Sequence, residues 1–552
     1  MKKIVSLIIV FACLFSVSGI GITAYAEEQK EISATLDLSA IDAKIDSMLE
    51  ERDYVPGQII FRTKKGLSRT DQTAILKSLD MVMSLEEISK RASFEKTIDG
   101  SSPYFYFNYE NGYFVVSVAP SFLKSMYKFL ATNSNISFVS LNYIDAFGPT
   151  LFYDNLSPDS GSNSEGYDIQ TTLYAMMKIG VKEAWAKGFV GSDNVKIAIV
   201  DTGYNQHVDI DCVVMSEAYN TYDNNTDVTD HDGHGTFITG IIGAELNALG
   251  INGVAQHISI VPIKAYHSEI NALDGEVDIT RTLDSFCGAM MYAQEIGADI
   301  VNVSSSLPNQ YYLGMKDLFD GLVVLSAGNE REDITYETNR NSYMYYAREG
   351  ICNDQPNWLV VGASDYNDQI AVWENSEGVV IGGSNYSNIY VDLFAPGSVI
   401  RSFSKDGEGT ERSNGTSFSA PYVAVSAAVI MSHATQYRDD PEALIELLCS
   451  TVDQKSCMNG KCVSGGRLSL INAVEYLYTC ERPGEYSKGD VNNDGYVTAV
   501  DATLVKGYVM NTSELSSLQL QAADIDGNGI VNTADYVLVR KFVNQTNYFP
   551  PS

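Results

Sequence analysis

Between residues 174 and 479, short and almost continuous apolar runs alternate with longer stretches of helical periodicity. VKIAIVDTG, ISIVPIKAY, ADIVNVSSS, GLVVLSAGN and WLVVGAS have the length and β-branched content of strands buried on both faces, and TLDSFCGAMMYAQEIG (282–297) reads as a helix between two of them. The alternation predicts a large α/β domain, a parallel sheet with helices on both faces. Upstream, over residues 27–150, the texture differs: YVPGQIIFRT (54–63), GYFVVSV (112–118) and ISFVSLNYI (136–144) read as strands, with helices near 70–90 and over SFLKSMYKFLATN. That is a small α+β unit with its core at about 50–147. DNLSPDSGSNSEGYD (154–168) has linker composition, and a linker is expected over 151–173. A second short linker over 480–488 precedes a last unit, 489–548, that repeats itself: DVNNDGYVTAVD at 490 recurs as DIDGNGIVNTAD at 524, each copy followed by a helical pattern.

Composition narrows the class. The chain has 552 residues, too many for one core, with 37 Lys+Arg against 70 Asp+Glu and a net charge of −33. Such acidity argues against nucleic acid and anionic membrane surfaces as partners. Residues 1–26 open on Lys2 and Lys3, continue as an apolar stretch and end in Ala24-Tyr25-Ala26, the pattern of a cleaved signal peptide. An uncleaved anchor is the rival reading, because the apolar stretch is nearly long enough to span a bilayer. No later segment is apolar enough to span one. Of 8 cysteines, one lies in the signal, so at least one of the rest is unpaired. Cys449, Cys457, Cys462 and Cys480 cluster. Disulfides, free thiols and a zinc site all fit that spacing, although no His lies nearby.

Three stretches of the α/β domain carry candidate chemistry. In IAIVDTGYNQH, Asp201 ends an apolar strand, where open α/β sheets collect functional groups; a plain strand-to-loop turn is the rival. In HDGHGTFITGIIGA, His234 opens a helix of small residues; a metal pair with His231 is the rival, without HExxH spacing or an obvious third ligand. In NGTSFSAPYVAVSAAVIMS, Ser417 opens another such helix, and Pro421 is tolerated in its first turn. Ser417 could be a helix cap only. A helix N-terminus also offers donors to a developing anion.

Taken together, with the order Asp…His…Ser and all three flanks, residues 170–478 resemble the subtilisin-like serine proteases, the subtilases. SAGNE around Asn329, GVAQHISIVPIKAY and VDLFAPGSVIRS extend the match. The resemblance implies that Ser417 is the nucleophile, His234 its base, Asp201 the residue that orients His234, and Asn329 an oxyanion donor. It also implies that Ser304, Ser305 and Ser306 take the place of the family's Ser-Leu-Gly substrate strand. Gly328 and Glu330 flank the pocket, and Glu330 at its rim is expected to favour a basic residue before the scissile bond. The upstream α+β unit resembles a subtilase propeptide, which implies a folding aid that then inhibits its own enzyme, and self-cleavage between about 147 and 173. No cofactor is implied for the chemistry.

The terminal repeat has the spacing of EF-type calcium loops, with oxygens at positions 1, 3, 5, 7, 9 and 12 and Gly at 6. The first loop offers Asp490, Asn492, Asp494, the Tyr496 carbonyl, Thr498 and Asp501; the second offers Asp524, Asp526, Asn528, the Ile530 carbonyl, Asn532 and Asp535. Asx-rich turns can mimic one loop by chance. Two loops, each closed by Asp and followed by one helix, resemble a dockerin, an all-α module that binds cohesin domains of a scaffoldin or a cell surface. The resemblance implies two structural Ca2+ ions, a cellulosome-like location outside the cell, and partner contacts through Ala499, Val500, Thr533 and Ala534, with Lys506, Arg540 and Lys541 as a basic rim. The expectation is a secreted, docked serine endopeptidase acting on polypeptides. The alternatives are a catalytically silent subtilase fold used for binding, and a dockerin-borne glycosidase, to which the motifs leave little room.

Overall fold

The computed structural model describes residues 45–49, 54–79, 105–108, 111–118, 120–147, 168–247, 251–270, 277–305, 307, 309–335, 355–375, 377–406, 410–480, 488–489, 491, 499–510, 512, 515, 517–525 and 529–545. The expected signal peptide, the expected linker up to residue 167 and hinge residues 481–487 lie outside them. No helix among the described residues is long and apolar enough to cross a membrane.

The N-terminal unit is an antiparallel sheet in the order β2-β3-β1-β4, formed by β1 (Tyr54–Thr63), β2 (Phe105–Asn108), β3 (Tyr113–Ser117) and β4 (Ile136–Phe147). Two helices accompany it, α1 (Arg69–Ser78) and α2 (Pro120–Ala131). Leu123, Met126, Tyr127 and Leu130 recur at helical spacing, and all four are buried in the core they share with Ile59, Phe61 and Phe114. β4 runs three residues past the apolar stretch that predicted it. That extension leaves its own sheet.

A helix, α3 (Asp168–Ile179), opens inside the expected linker and leads through α4 (Val181–Ala186) into the α/β domain. Its elements follow as β5 (Gly191–Asp201), β6 (Tyr219–Asn220), α5 (His234–Gly243), β7 (His257–Lys264), β8 (Tyr266–Ile270), β9 (Val277–Thr282), α6 (Leu283–Glu295), β10 (Ile300–Val303), α7 (Asn309–Met315), β11 (Leu322–Ser326) and β12 (Trp358–Ser364). After hairpin β13 (Val372–Glu374)–β14 (Val380–Gly383) come β15 (Leu393–Pro396), hairpin β16 (Ile400–Phe403)–β17 (Thr410–Ser413), α8 (Thr416–His433), α9 (Pro441–Ser450), β18 (Asp453–Gln454), β19 (Gly466–Arg467) and α10 (Leu470–Cys480).

Among the described residues the central sheet has the order β18-β19-β15-β12-β11-β10-β5-β7-β6, parallel except for the β18–β19 pair. Its strands are apolar on both faces because both are covered. Ile197, Ile199, Val324 and Val361 pack with α5 and α8 on one side, while Ala198, Val200, Val323 and Val360 pack with α6, α7 and the N-terminal unit on the other. ISIVPIKAY, read as one strand in the sequence, breaks after Lys264: Ala265 N–H donates to the Asp201 carbonyl, and the chain turns into the separate hairpin β8–β9.

The last unit holds α11 (Ala499–Val509), α12 (Ser517–Ala523) and α13 (Thr533–Gln545) around buried Val491, Ala502, Val505, Ala522 and Val539. Cys449, Cys457 and Cys462 are free thiols, as are Cys212 and Cys287, so the disulfide reading fails for the first three. The side chain of Cys480 lies outside the described residues.

Candidate active site and calcium loops

Sheet order brings the candidates together. β11, β10 and β5 are neighbours, so Asn329, Ser304 and Asp201 follow or end adjacent strands at one carboxyl edge. His234 is the first residue of α5, after Gly233. Gly235 lets that helix approach the Asp201 loop: a Cβ at Gly235 would stand 2.2 Å from the Gly203 carbonyl oxygen, and Gly203 itself has φ +130°. His234 Nδ1 lies 2.7 Å from Asp201 Oδ1, and the carboxylate is buried. The same oxygen accepts from Thr202 N–H at 2.8 Å.

Two carboxylates that the sequence reading passed over stand behind this pair. Asp230 accepts from Thr202 Oγ1 (2.9 Å), Gly233 N–H (2.8 Å), Thr236 N–H (2.9 Å) and Thr236 Oγ1 (2.8 Å), which fixes the turn that carries the histidine. Asp232 accepts from His234 N–H at 3.2 Å. The signal was present in DHDGHG, as acids flanking the histidine. Burial disfavours the His234 imidazolium, but the Asp201 carboxylate outweighs it, with help from Asp232 and Asp230, and raises the ring to about 8. Burial, then the charge of Asp230, pushes Asp232 up to about 6.

Ser417 is half-buried in the first turn of α8. The next residue, Phe418, packs its ring 5.5 Å from that of His234 and 4.6 Å from that of Phe237, which ties the start of α8 to the start of α5. Asn329 is clamped to the same turn: its Oδ1 accepts from Thr416 N–H at 3.0 Å and Thr416 Oγ1 at 2.9 Å. Gly328 N–H donates to Thr416 Oγ1 at 3.0 Å. With its oxygen so engaged, the Asn329 amide presents Nδ2 beside Gly415; a Cβ there would be 3.7 Å from it.

Glu330 Oε2 accepts from Asn329 N–H at 3.1 Å and Asn385 Nδ2 at 2.5 Å, so one oxygen of the expected rim charge is engaged in holding the Asn329 loop. Ser304 is buried and its Oγ accepts from Asn302 Nδ2 at 2.9 Å; Ser305 Oγ is hydrogen-bonded to the Tyr266 hydroxyl. Ser306 lies outside the described residues.

In the terminal unit, Asp501 and Asp535 are fully buried at equivalent places. Asp501 Oδ1 accepts from Val491 N–H at 2.8 Å, and Asp535 Oδ1 accepts from Ile525 N–H at 2.9 Å. Each bond links a closing Asp to the second residue of its loop, as the repeat requires. Gly529, at φ +83°, donates its N–H to Asp524 Oδ2 at 2.9 Å. Carboxylates and carbonyls without sulfur or imidazole suit a hard divalent cation such as calcium. Asp490, Asn492, Asp494, Tyr496, Thr498, Asp526 and Asn528 lie outside the described residues. Thr533, Ala534, Lys506 and Arg540 are exposed on α13 and α11. The side chains of Ala499, Val500 and Lys541 lie outside the described set.

Comparison with known proteins bears on the same segments. Residues 192–467 match the subtilase family (peptidase S8), and residues 488–544 match the dockerin type I domain. A thermophilic serine proteinase of Bacillus sp. (strain AK1) is 31% identical over 295 residues, 52% of this chain and 63% of that protein. Subtilisin DY of Bacillus licheniformis is 29% identical over 275 residues, 48% of this chain and 85% of its own. Fervidolysin from Fervidobacterium pennivorans, a keratinolytic enzyme related to subtilisin, superposes with a TM-score of 0.50 at 20% identity, over 77% of this chain and 62% of that one. The chain therefore belongs to the subtilase family of serine-type endopeptidases, and it carries a dockerin type I domain, a module that binds calcium.

Proposed function

We propose that the chain is a secreted endopeptidase that hydrolyses polypeptides through an acyl-enzyme and is held on a scaffoldin or cell-surface complex by its dockerin. The observation that carries the chemistry is the 2.7 Å His234–Asp201 hydrogen bond, together with an Asn329 side chain clamped to the residue before Ser417. An ionised Asp201 accepts from Nδ1–H, which leaves Nε2 as the basic nitrogen. Nε2 takes the Ser417 hydroxyl proton as Oγ attacks the scissile carbonyl, then delivers that proton to the leaving amine. Asp201 holds the tautomer and stabilises the transient imidazolium. Asn329 Nδ2 and the Ser417 backbone N–H donate to the oxyanion. Water, deprotonated by His234, then releases the acid product and restores Ser417.

Substrate backbone would add as a strand along Ser304–Ser306, opposite Gly328. A preference for Lys or Arg before the scissile bond would rest on Glu330 Oε1, since Oε2 is engaged.

Pairing between the N-terminal unit and the catalytic domain supports reading that unit as an inhibitory propeptide. The end of β4 pairs with β9 antiparallel, Ile144 opposite Thr282 through Phe147 opposite Ile279. Tyr113 Oη donates to Asp284 Oδ1 at 3.1 Å, and Asp284 N–H donates to Asn142 Oδ1 at 3.1 Å.

In the dockerin, two calcium ions would be held by the oxygens of Asp490, Asn492, Asp494, Tyr496, Thr498 and Asp501, and of Asp524, Asp526, Asn528, Ile530, Asn532 and Asp535. Cohesin would meet the starts of α11 and α13, through Ala499, Val500, Thr533 and Ala534, with Lys506, Arg540 and Lys541 at the rim. A serine-directed fluorophosphonate tests the chemistry: an adduct on Ser417 supports it, and a folded chain that takes none is a binding protein.

A further inference from the structure

β7 ends on Lys264, which stands in register with Asp201 on the neighbouring strand and is only 4% exposed. Burying an ammonium is costly unless its donors are satisfied. Here Nζ donates to three neutral oxygens: the Thr202 carbonyl at 2.8 Å, the Thr229 carbonyl at 2.7 Å and Ser268 Oγ at 2.7 Å. An ammonium has three N–H groups, so all of them are used. Two of the acceptors belong to the turns that build the candidate site. Thr202 follows Asp201, and its N–H donates to Asp201 Oδ1; its hydroxyl accepts from Gly235 N–H at 3.0 Å, one residue past His234. Thr229 precedes Asp230, whose carboxylate fixes the turn that carries the histidine. The two turns lie against each other, with Tyr204 N–H donating to the Val228 carbonyl at 2.8 Å. One side chain therefore ties the end of β5 to the approach to α5, and through Ser268 ties both to β8.

The charge of Lys264 bears on the same place. The acids that face His234 are Asp201 from β5 and Asp230 and Asp232 from its own turn, while α8 presents the ring of Phe418. All three acids favour the imidazolium. Burial lowers the Lys264 ammonium, against the charges of Asp230, Asp227, Asp223 and Asp232. A cation coupled to the acids behind His234 disfavours a second positive charge on the ring. We propose that Lys264 is a positioning residue of the peptidase reaction: it fixes the Asp201 and His234 turns relative to one another, and its charge counters that of the acids around the imidazole. The proposal rests on the Asp201–His234–Ser417 reading above. Lysine suits the role because its three donors spread around a point charge, whereas the arginine fork is planar.

The test uses the self-processed protein, with kcat expressed per site that takes a fluorophosphonate. Lys264→Met, similar in length but uncharged, is expected to lower kcat about 10- to 100-fold with KM retained, the scale on which small misplacements of reacting groups act. The rising limb of kcat/KM moves above its wild-type position near pH 8, because a positive charge has left the neighbourhood of the ring. Lys264→Arg keeps the charge but not the arrangement of donors, so kcat falls while the limb stays. A purely structural lysine would change only the fraction of chain that labels. Should Lys264→Met not fold or mature, Lys264→Arg and Ser268→Ala, which removes one acceptor, decide by kcat per labelled site. In Lys264→Met, a limb that stays near pH 8 or a kcat at the wild-type level overturns the role of Lys264; so does a wild-type kcat in both other variants. Wild type that takes no label overturns the endopeptidase reading instead.

Discussion

At the scale of single residues, the site is governed by which carboxylates face His234. Asp201 raises the imidazole to about 8 against the effect of burial, while the base role proposed for His234 requires the neutral ring. The alkaline-rising limb of kcat/KM is therefore expected near pH 8, and in Asp201→Asn it should move down toward an ordinary histidine value of about 6.5; stopped assays across pH measure both. The same shift has a consequence for stability. The protonated His234–Asp201 pair stabilises the fold fully below about pH 6.5, and that contribution is lost as pH rises through about 8. Asn329 Oδ1 holds Thr416, and on the reading proposed above its Nδ2 would donate to the oxyanion. Asn329→Ala should lower kcat about 10²- to 10³-fold with little change in KM, the usual effect of losing such a donor. A loss confined to KM would move Asn329 out of the reacting centre.

At the scale of elements, legibility followed periodicity. The strand at 54–63 and the helix near 282–297 were plain because their side chains pack against a core of matching period. β2 was missed: four residues, FYFN, are too few to show a period. The β8–β9 hairpin was missed for another reason. YHSEI and VDITRT are half polar, because their stability comes from pairing with each other and with β4, not from burial on both faces. Asp201, His234, Asn329 and Ser417 were legible because each stands in a flank that its turn demands. In the terminal unit, the loops were legible from alternating oxygens. The bonds from Val491 to Asp501 and from Ile525 to Asp535 show that both closing aspartates are folded inward. On the calcium-loop reading each closing aspartate is a metal ligand, and calcium binding is then expected to be coupled to folding. EDTA is expected to remove the helical circular dichroism of α11 and α13 and to abolish cohesin binding, with recovery on adding calcium. A spectrum indifferent to EDTA would contradict the assignment.

At the scale of the whole molecule, one chain combines a sheet edge that gathers the candidate residues, an N-terminal strand that pairs with β9 of the catalytic domain, and a dockerin placed apart in sequence. The core shared by Ile59, Phe61, Phe114, Leu283, Phe286 and Tyr311 means that the N-terminal unit and α6–α7 bury one another. On the propeptide reading proposed above, release of the N-terminal unit is expected to require a cut in the chain, made by the enzyme itself. The most direct measurement is to incubate the purified full chain with calcium and read its new N-termini over time, beside Ser417→Ala. The account predicts that wild type cuts itself between about 147 and 173 and gains activity on casein as it does so, whereas Ser417→Ala stays whole and inactive. A Ser417→Ala chain that matures unaided, or a matured wild type that leaves casein intact, would contradict it.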